Sequence, residues 1–123
     1  MITVTTAKFS KGRCLLLKVE GHAGMAEEGK DIVCSAASVL AHTLAQEAKN
    51  MEHRGQLEEP PYIRTDKGDM VVMLYPKDEM AYIEALHTFY IAEIGFSLLA
   101  HNYPQYVELK KVKWREPSHK ETN

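Results

Sequence analysis

Apolar and polar residues alternate along the first two segments of the chain, residues 2–9 and 14–20. Alternation with a period of two predicts β-strands that bury one face. Residues 10–13, between the two segments, include Gly12, which favours a tight turn. The pattern therefore predicts a β-hairpin whose second strand ends at Gly21.

Two longer segments have apolar residues three or four positions apart, the spacing of one helical face. The first predicted helix begins at Ile32 behind Asp31, a favourable N-cap residue, and ends near Asn50. The second begins behind Asp78 and reaches about Asn102. In the first helix, the stripe expected to face the core is Ile32, Ala36, Leu40, Leu44, Ala48 and Met51. In the second helix, it is Ile83, Leu86, Tyr90, Ile94, Leu98 and His101.

Further segments that alternate or are uniformly apolar predict three more strands, at residues 62–65, 70–75 and 106–114. A turn at residues 66–69 joins the first two of them into a second hairpin. The order β-β-α-β-β-α-β predicts an α+β fold, a two-layer sandwich with a mixed sheet and both helices packed on one face. We expect a single domain over residues 1–115 and a polar tail over residues 116–123. The pattern leaves the strand order open.

Composition and charge exclude several classes of protein. The chain has 123 residues and a net charge of −2, so we expect no direct nucleic-acid partner. No apolar run approaches the ~20 residues of a membrane span, and the first residues lack the features of a signal peptide. We therefore expect a cytoplasmic protein with no membrane partner. Two cysteines without paired metal spacing predict neither a disulfide framework nor a metal or cofactor site.

The candidate chemistry lies in residues 21–38, where His22 stands between two glycines and Cys34 follows a short polar loop. A thiol is nucleophilic only as thiolate, which a histidine or a helix N-terminus stabilises. Cys34, at the predicted third helical position, has both. The alternative is a small buried side chain, since free cysteines are among the most buried residues. For Cys14, inside a strand, that structural interpretation is favoured.

Neighbouring residues allow several roles. His22 is a general base, or the imidazolium partner of a thiolate, or a loop histidine that donates to a backbone carbonyl. Asp31 caps the helix, orients His22, or does both. Ser38 lies one turn beyond Cys34 and donates a hydrogen bond into the site or to the preceding turn. The predicted loop of residues 23–30 is rich in glycine, so we expect it to be mobile and to close over a ligand.

The other histidines show no such arrangement. They are His42, His53, His87, His101 and His119. Four of them lie in or after predicted helices and one in the tail. Their spacing does not match a metal site, and ordinary helix, loop or tail positions account for them better than a functional role.

Residues 21–24 and 29–38 together resemble the signature of the ribosomal-processing cysteine protease family, Prp, and residues 98–107 are similar to that family's C-terminal segment. The resemblance implies a cytoplasmic homodimer that removes an N-terminal extension from large-subunit ribosomal protein twenty-seven, cutting after aromatic residues. The substrate partner would thus be a ribosomal protein precursor. Met25 departs from the pattern, which has an aromatic residue there in many relatives.

Carried onto this chain, the resemblance assigns Cys34 as nucleophile and His22 as its partner histidine. It makes Asp31 and Ser38 supporting residues. The residues it assigns to the substrate loop are Gly21, Ala23, Gly24 and Gly29.

The function predicted from the sequence is that of a cysteine endopeptidase, with backbone N–H groups at the helix start stabilising the oxyanion. One alternative is a non-catalytic ribosome-associated binding module in which Cys34 is structural, and another is a thiol-dependent transferase with a small substrate. The second helix is too broadly apolar for one sheet face. We therefore expect a homodimer that buries the segment around Phe89, Phe96 and Tyr103.

Overall fold

The computed structural model describes the backbone of residues 1–22 and 27–113, and the side chains of these residues except 27–31. Its elements are β1 (Ile2–Phe9), β2 (Cys14–Gly21), α1 (Glu27–His53), β3 (Tyr62–Asp66), β4 (Asp69–Leu74), α2 (Glu79–Asn102) and β5 (Val107–Lys113). This order confirms the predicted β-β-α-β-β-α-β arrangement. The predicted polar tail, residues 116–123, lies outside the described residues.

The five strands form one open, mixed sheet in the order β3-β4-β2-β1-β5. β1 pairs in parallel with β5, and every other neighbouring pair is antiparallel. Both helices pack on the same face, α1 against β4 and β2, and α2 against β5, β1 and β2. The structure therefore confirms the α+β fold with two helices on one sheet face.

Helix α1 begins at Glu27, five residues earlier than the predicted start at Ile32. Asp31 is thus inside the helix rather than its N-cap, and Gly29 is helical rather than part of a loop. Acidic residues are favoured in a first helical turn, and Glu27 and Glu28 open this one. A helical glycine costs only about 1 kcal/mol relative to alanine, so Gly29 does not break the helix.

Each helix buries a face that agrees only in part with the predicted one. Of the predicted α1 stripe, Leu44, Ala48 and Met51 are buried, whereas in α2 only Leu86 of the predicted stripe packs against the core. In α1, Ile32 is 61% exposed, and the buried residues are Val33, Ala37, Ala41, Leu44, Ala45, Ala48 and Met51. In α2, Ile83, Tyr90, Ile94 and Leu98 are exposed. The buried residues there are Ala81, Tyr82, Ala85, Phe89, Glu93, Phe96 and Leu99. Both helices have apolar residues on more than one side, so spacing alone does not decide which side meets the sheet.

Helix α2 has the N-cap predicted for it, since the Asp78 carboxylate accepts a hydrogen bond of 2.9 Å from the Ala81 amide. By length and composition alone, this helix is apolar enough to cross a membrane. A helix in the core of a folded domain meets the same criterion. Phe89 and Phe96 are enclosed between α2 and the rest of the domain, so one side of α2 belongs to the core.

A buried polar cluster joins α2 to β1. Glu93 of α2 accepts hydrogen bonds from the Thr6 hydroxyl and the Lys8 ammonium group. All three residues are buried, and the Lys8 ammonium also lies 4.9 Å from the centre of the Tyr90 ring. We call Thr6, Lys8 and Glu93 the buried ion-pair cluster. Because the carboxylate is paired with the ammonium group, neither charge is left uncompensated in the core.

Candidate functional site

A cavity of about 410 Å³ opens between α1, the end of β2 and the β3–β4 turn. Both His22 and Cys34 line it, so the structure brings together the two residues predicted to carry the chemistry. We call it the thiol cavity. Its other lining residues are Ile2, Val19, Gly21, Ser35, Ala37, Ser38, His42, Thr65, Asp66, Lys67, Gly68 and Met70.

Cys34 is a free, partly buried cysteine in the first half of α1. It packs against the hydrophobic core beside Val33 and Ala37, which are fully buried. It lies seven residues after the first residue of α1, not at the third helical position. The amide groups there belong to the regular hydrogen-bond ladder of the helix. The predicted oxyanion donors at the helix start are therefore about two turns away from the thiol.

His22 directly follows β2, and its backbone is fixed by the start of the chain. Its carbonyl oxygen accepts a hydrogen bond of 2.6 Å from the Met1 ammonium group. The preceding Gly21 has a φ of +95° and faces the Met1 carbonyl so closely that any side chain there would collide with it. The strand register and this contact thus place His22 at the rim of the sheet, as predicted.

The His22 ring rests against the β3–β4 turn. A Cβ atom added to Gly68 would lie 2.7 Å from Nε2 and 2.8 Å from Cε1 of the imidazole. Gly68 also has a φ of +78°, and its carbonyl accepts a 3.0 Å hydrogen bond from the Gly21 amide. Only glycine satisfies both the backbone conformation and the close approach of the ring. The ring has no hydrogen bond to another described residue, so the predicted donation to a backbone carbonyl is not seen within that part of the chain.

Ser38 and His42 continue the α1 wall of the thiol cavity. The Nδ1 atom of His42 is 2.9 Å from the Ser38 carbonyl oxygen and 3.3 Å from the Ser38 hydroxyl oxygen. Ser38 is a predicted supporting residue of the site, whereas the sequence assigns no role to His42. The sequence did contain a signal for His42, because it lies four residues after Ser38 and residues at i and i+4 share a helical face.

The opposite wall is the β3–β4 turn, which contributes the charged side chains of Asp66 and Lys67. Sequence reasoning predicted this turn but did not place it at the site. It reaches the site because β4 pairs with β2, which aligns Asp69 with Glu20 and so brings the turn beside His22. That pairing is a long-range contact with no local sequence signal.

Four predicted site residues are not placed with the others. Asp31 and Gly29 lie in the backbone of α1, and their side-chain surroundings are outside the described residues. Ala23 and Gly24, predicted as part of a mobile substrate loop, fall in residues 23–26, which are also outside the described residues. The loop prediction is wrong for residues 27–30, because these are helical.

Cys14 differs from Cys34 in its surroundings. It is 8% exposed and lies on β2, and it does not line the thiol cavity. Burial raises the pKa of the Cys14 thiol, and this outweighs the opposing effect of a hydrogen bond with Tyr75. These observations agree with the structural role predicted for it.

An apolar groove of about 560 Å³ runs between the two helices. Its lining residues are Ser35, Ala36, Val39, Leu40, Gly95, Leu98, Leu99 and Asn102. The helices approach closely there, since a Cβ atom on Gly95 would lie 2.8 Å from Leu40 Cδ2. Ser35 lines both the groove and the thiol cavity, so the two spaces adjoin at the turn after Cys34.

Comparison with solved structures shows proteins of the same fold. SMU.848 from Streptococcus mutans is 24% identical, with a TM-score of 0.65 over 93% of this chain and 96% of that chain. The ribosomal processing protease Prp from S. aureus, solved with a covalently linked product peptide, is 23% identical. Its TM-score is 0.63 over 90% of this chain and 99% of that chain, and its structure with a substrate peptide gives the same values.

Comparison of sequences identifies the family. No match is found among curated proteins. The sequence profile described as cysteine protease Prp, in contrast, matches residues 1–108. The matched range includes every described element up to the start of β5 and both cavity residues of the predicted chemistry, His22 and Cys34. The chain therefore belongs to the Prp family of cysteine proteases.

Proposed function

We propose that this protease cuts peptide bonds with Cys34 as nucleophile and His22 as general base, and that its substrate is a ribosomal protein precursor. The observation that supports the residue roles is that both side chains line one cavity, although they belong to different elements. Cys14 is buried away from that cavity. Cys34 is thus the cysteine to which a peptide in the cavity has access.

The reaction has two steps. The Cys34 sulfur attacks the scissile carbonyl carbon, and the resulting tetrahedral intermediate collapses as the C–N bond breaks. The imidazole of His22 takes the thiol proton and gives it to the leaving amine. Water then attacks the thioester, with its proton passing to His22 and back to the Cys34 sulfur as the acid product leaves.

The oxyanion needs donors other than the helix start. Since α1 begins about two turns before Cys34, the free N–H groups of its first turn are too far from the sulfur. Ser38 lies one turn after Cys34 and lines the same cavity. Its hydroxyl is therefore our candidate oxyanion donor, consistent with the supporting role that the family resemblance gives it. Asp31 keeps its proposed role in orienting His22.

The proposed substrate is the precursor of large-subunit ribosomal protein twenty-seven, cut after an aromatic residue. The S. aureus relative of the same fold is described as an essential ribosomal processing protease and binds a substrate peptide. The apolar groove beside the thiol cavity provides a surface for aromatic side chains. Processing of such a substrate places the enzyme in the cytoplasm, where ribosomal proteins are made.

The test is to incubate the protein with the precursor from its own organism and to read the precursor's N-terminus by mass spectrometry. We expect a single cut directly after an aromatic residue, and no cut with Cys34→Ala. Binding without cleavage by the unaltered protein would favour the alternative, a ribosome-associated binding module. Cleavage that persists in Cys34→Ala would overturn the assignment of the nucleophile.

We also propose that the protein is a homodimer, but through a surface that differs from the expected one. Phe89 and Phe96 are enclosed in the core of one subunit, so they are not available to a partner. The exposed apolar residues of α2 are Met80, Ile83, Tyr90, Ile91, Ile94 and Leu98. A contiguous apolar surface on one helix is typical of an interface.

Sedimentation tests this assembly. Ile91→Lys should shift a dimer towards the monomer, because Ile91 is 61% exposed and its replacement puts a charge on the apolar surface. Val112→Lys, on the edge strand β5, is the matched control and should leave the dimer intact. A monomer at micromolar concentration of the unaltered protein would contradict the proposal.

A further inference from the structure

We propose that His42 is a substrate-binding residue: its Nε2 atom accepts a hydrogen bond from the backbone of the bound peptide, three or four residues from the scissile bond. The proposal rests on the proposed function, since it takes Cys34 as the point of attack. Four observations carry it: the His42 contacts with Ser38, its place on the cavity wall, its distance along α1 and the charges around it.

The contacts of His42 fix the tautomer of its ring. A carbonyl oxygen only accepts, so the 2.9 Å contact with the Ser38 carbonyl requires Nδ1 to carry a hydrogen and donate it. In the neutral ring, Nε2 then holds the lone pair and acts as an acceptor. Nδ1 also cannot accept from the Ser38 hydroxyl 3.3 Å away, which leaves that hydrogen free to donate into the cavity.

The position of His42 along α1 sets its distance from the reaction. It lies eight residues after Cys34, or about 12 Å along the axis at 1.5 Å per residue. An extended peptide advances about 3.3 Å per residue. A peptide that lies along this wall with its scissile bond at Cys34 therefore passes His42 about three or four residues away. Ser38, between them, meets the peptide much closer to the reacting carbonyl.

The charges of the thiol cavity favour an uncharged ligand group at His42. The ionisable side chains that line the cavity with it are His22, Cys34, Asp66 and Lys67. Asp66 and Lys67 are neighbours of opposite charge on the facing turn, so together they give little net attraction for an acidic or a basic substrate side chain. A peptide N–H group is neutral, is present in every substrate, and supplies the donor that Nε2 requires.

The test compares two peptides with the same scissile bond. The long peptide has five residues on each side of that bond, and the short peptide has two. We expect His42→Ala to lower kcat/KM for the long peptide by roughly 2- to 10-fold, the effect of one neutral hydrogen bond. The loss should appear in KM with kcat unchanged, because the contact is equal in the ground and transition states. The short peptide should be cut at the rate of the unaltered protein.

Two conservative variants of His42 distinguish the contribution of Nε2 from that of Nδ1. The amide oxygen of glutamine reaches about as far as Nε2, whereas the amide of asparagine corresponds to Nδ1. His42→Gln should therefore restore most of the activity on the long peptide, and His42→Asn should not. His53→Ala, an exposed histidine at the end of α1 away from the cavity, is the control and should cut both peptides normally.

Equal losses on the two peptides, rescue by His42→Asn, or no loss on the long peptide would each overturn the proposal. The first two outcomes would show that His42 acts only by holding Ser38. Cys34→Ala is measured in parallel with both peptides. If Cys34→Ala is inactive, the proposed function stands whatever the result for His42. If Cys34→Ala is active, the proposed function itself is overturned.

Discussion

Two polar clusters in the same domain differ in whether their side chains are paired with one another or face open space. In the buried ion-pair cluster, the Glu93 carboxylate is paired with Thr6 and Lys8, and all three residues are buried. Around the thiol cavity, His22 and Cys34 face about 410 Å³ of open space. Among the described residues, no buried side-chain polar atom lacks a partner. Side-chain polar atoms of the described residues that lack a protein partner are therefore accessible to solvent, and those at the thiol cavity are available to a bound peptide.

The first way to test this contrast is to remove the nucleophile. Cys34→Ala should reduce cleavage by more than about 1,000-fold, because no other described side chain at the cavity provides a thiol. Its free energy of unfolding should change little, since alanine is the best helix former and Cys34 is only partly buried. Cys14→Ala is the matched control and should keep normal activity. The measurement is cleavage of the precursor by each variant, followed by mass spectrometry.

The second way is to break the buried ion-pair cluster. Glu93→Ala should lower the free energy of unfolding by about 3–5 kcal/mol, because it leaves the Lys8 ammonium buried without its counter-charge. Glu84→Ala, on the exposed side of α2 with a hydrogen bond to Gln56, should cost less than about 1 kcal/mol. Urea unfolding monitored by circular dichroism compares the two variants.

A double variant controls for the loss of volume. Lys8→Met with Glu93→Leu removes both charges, so it should recover much of the stability lost in Glu93→Ala. The folded fraction of each variant should cut the precursor normally, because the cluster does not touch the thiol cavity. A loss of activity in a fully folded Glu93→Ala sample would contradict the division into a structural and a functional cluster.

The third way acts on the support of His22. Gly68→Ala and Gly55→Ala both place an L side chain at a positive φ, +78° and +73°, so each should cost about 1–2 kcal/mol of stability. Only the Gly68 substitution also pushes on the His22 ring, because the space around Gly55 is open. We expect Gly68→Ala to lower kcat/KM by about 10- to 100-fold and Gly55→Ala to leave it unchanged. Equal activity of the two variants would mean that the position of the His22 ring is unimportant.

The parts of the fold that were predictable are those with local causes. The β1–β2 hairpin follows from alternation around Gly12, and the start of α2 follows from the Asp78 cap. The start of α1 was missed because Gly29 and the acidic residues before it were interpreted as a loop. The buried face of α1 was predicted only in part, through Leu44, Ala48 and Met51, and the buried face of α2 was missed. Which face is buried depends on contacts with the sheet, such as the ion pair between Lys8 and Glu93. The parallel pairing of β5 with β1 joins the two ends of the chain and has no local signal.

In the candidate site, too, the features with local causes were predicted and those that depend on long-range contacts were missed. His22 and Cys34 were predicted together because they flank one short stretch of sequence, and the structure places both on the thiol cavity. Gly68 and Lys67 were missed, since they reach the cavity only through the pairing of β4 with β2. His42 was missed for another reason, because a histidine in mid-helix is most often an ordinary surface residue. Its role depends on which face of α1 borders the cavity.

The smallest expected effect concerns the reactivity of the two cysteines, which extends the contrast between enclosed and open groups. Alkylation at neutral pH should label Cys34 at least about tenfold faster than Cys14, because Cys34 borders the cavity and Cys14 is buried with a raised pKa. A raised pKa lowers the thiolate fraction of Cys14 at neutral pH, so its labelling rate should rise as the pH rises, and the difference in rate between the two cysteines should narrow.

Peptide mapping by mass spectrometry follows both cysteines, and labelling in urea is the control, where the two rates should converge. If Cys14 reacts as fast as Cys34 in the folded protein, the interior of the sheet is more open than its burial indicates, and thiol labelling cannot be used to identify the nucleophile.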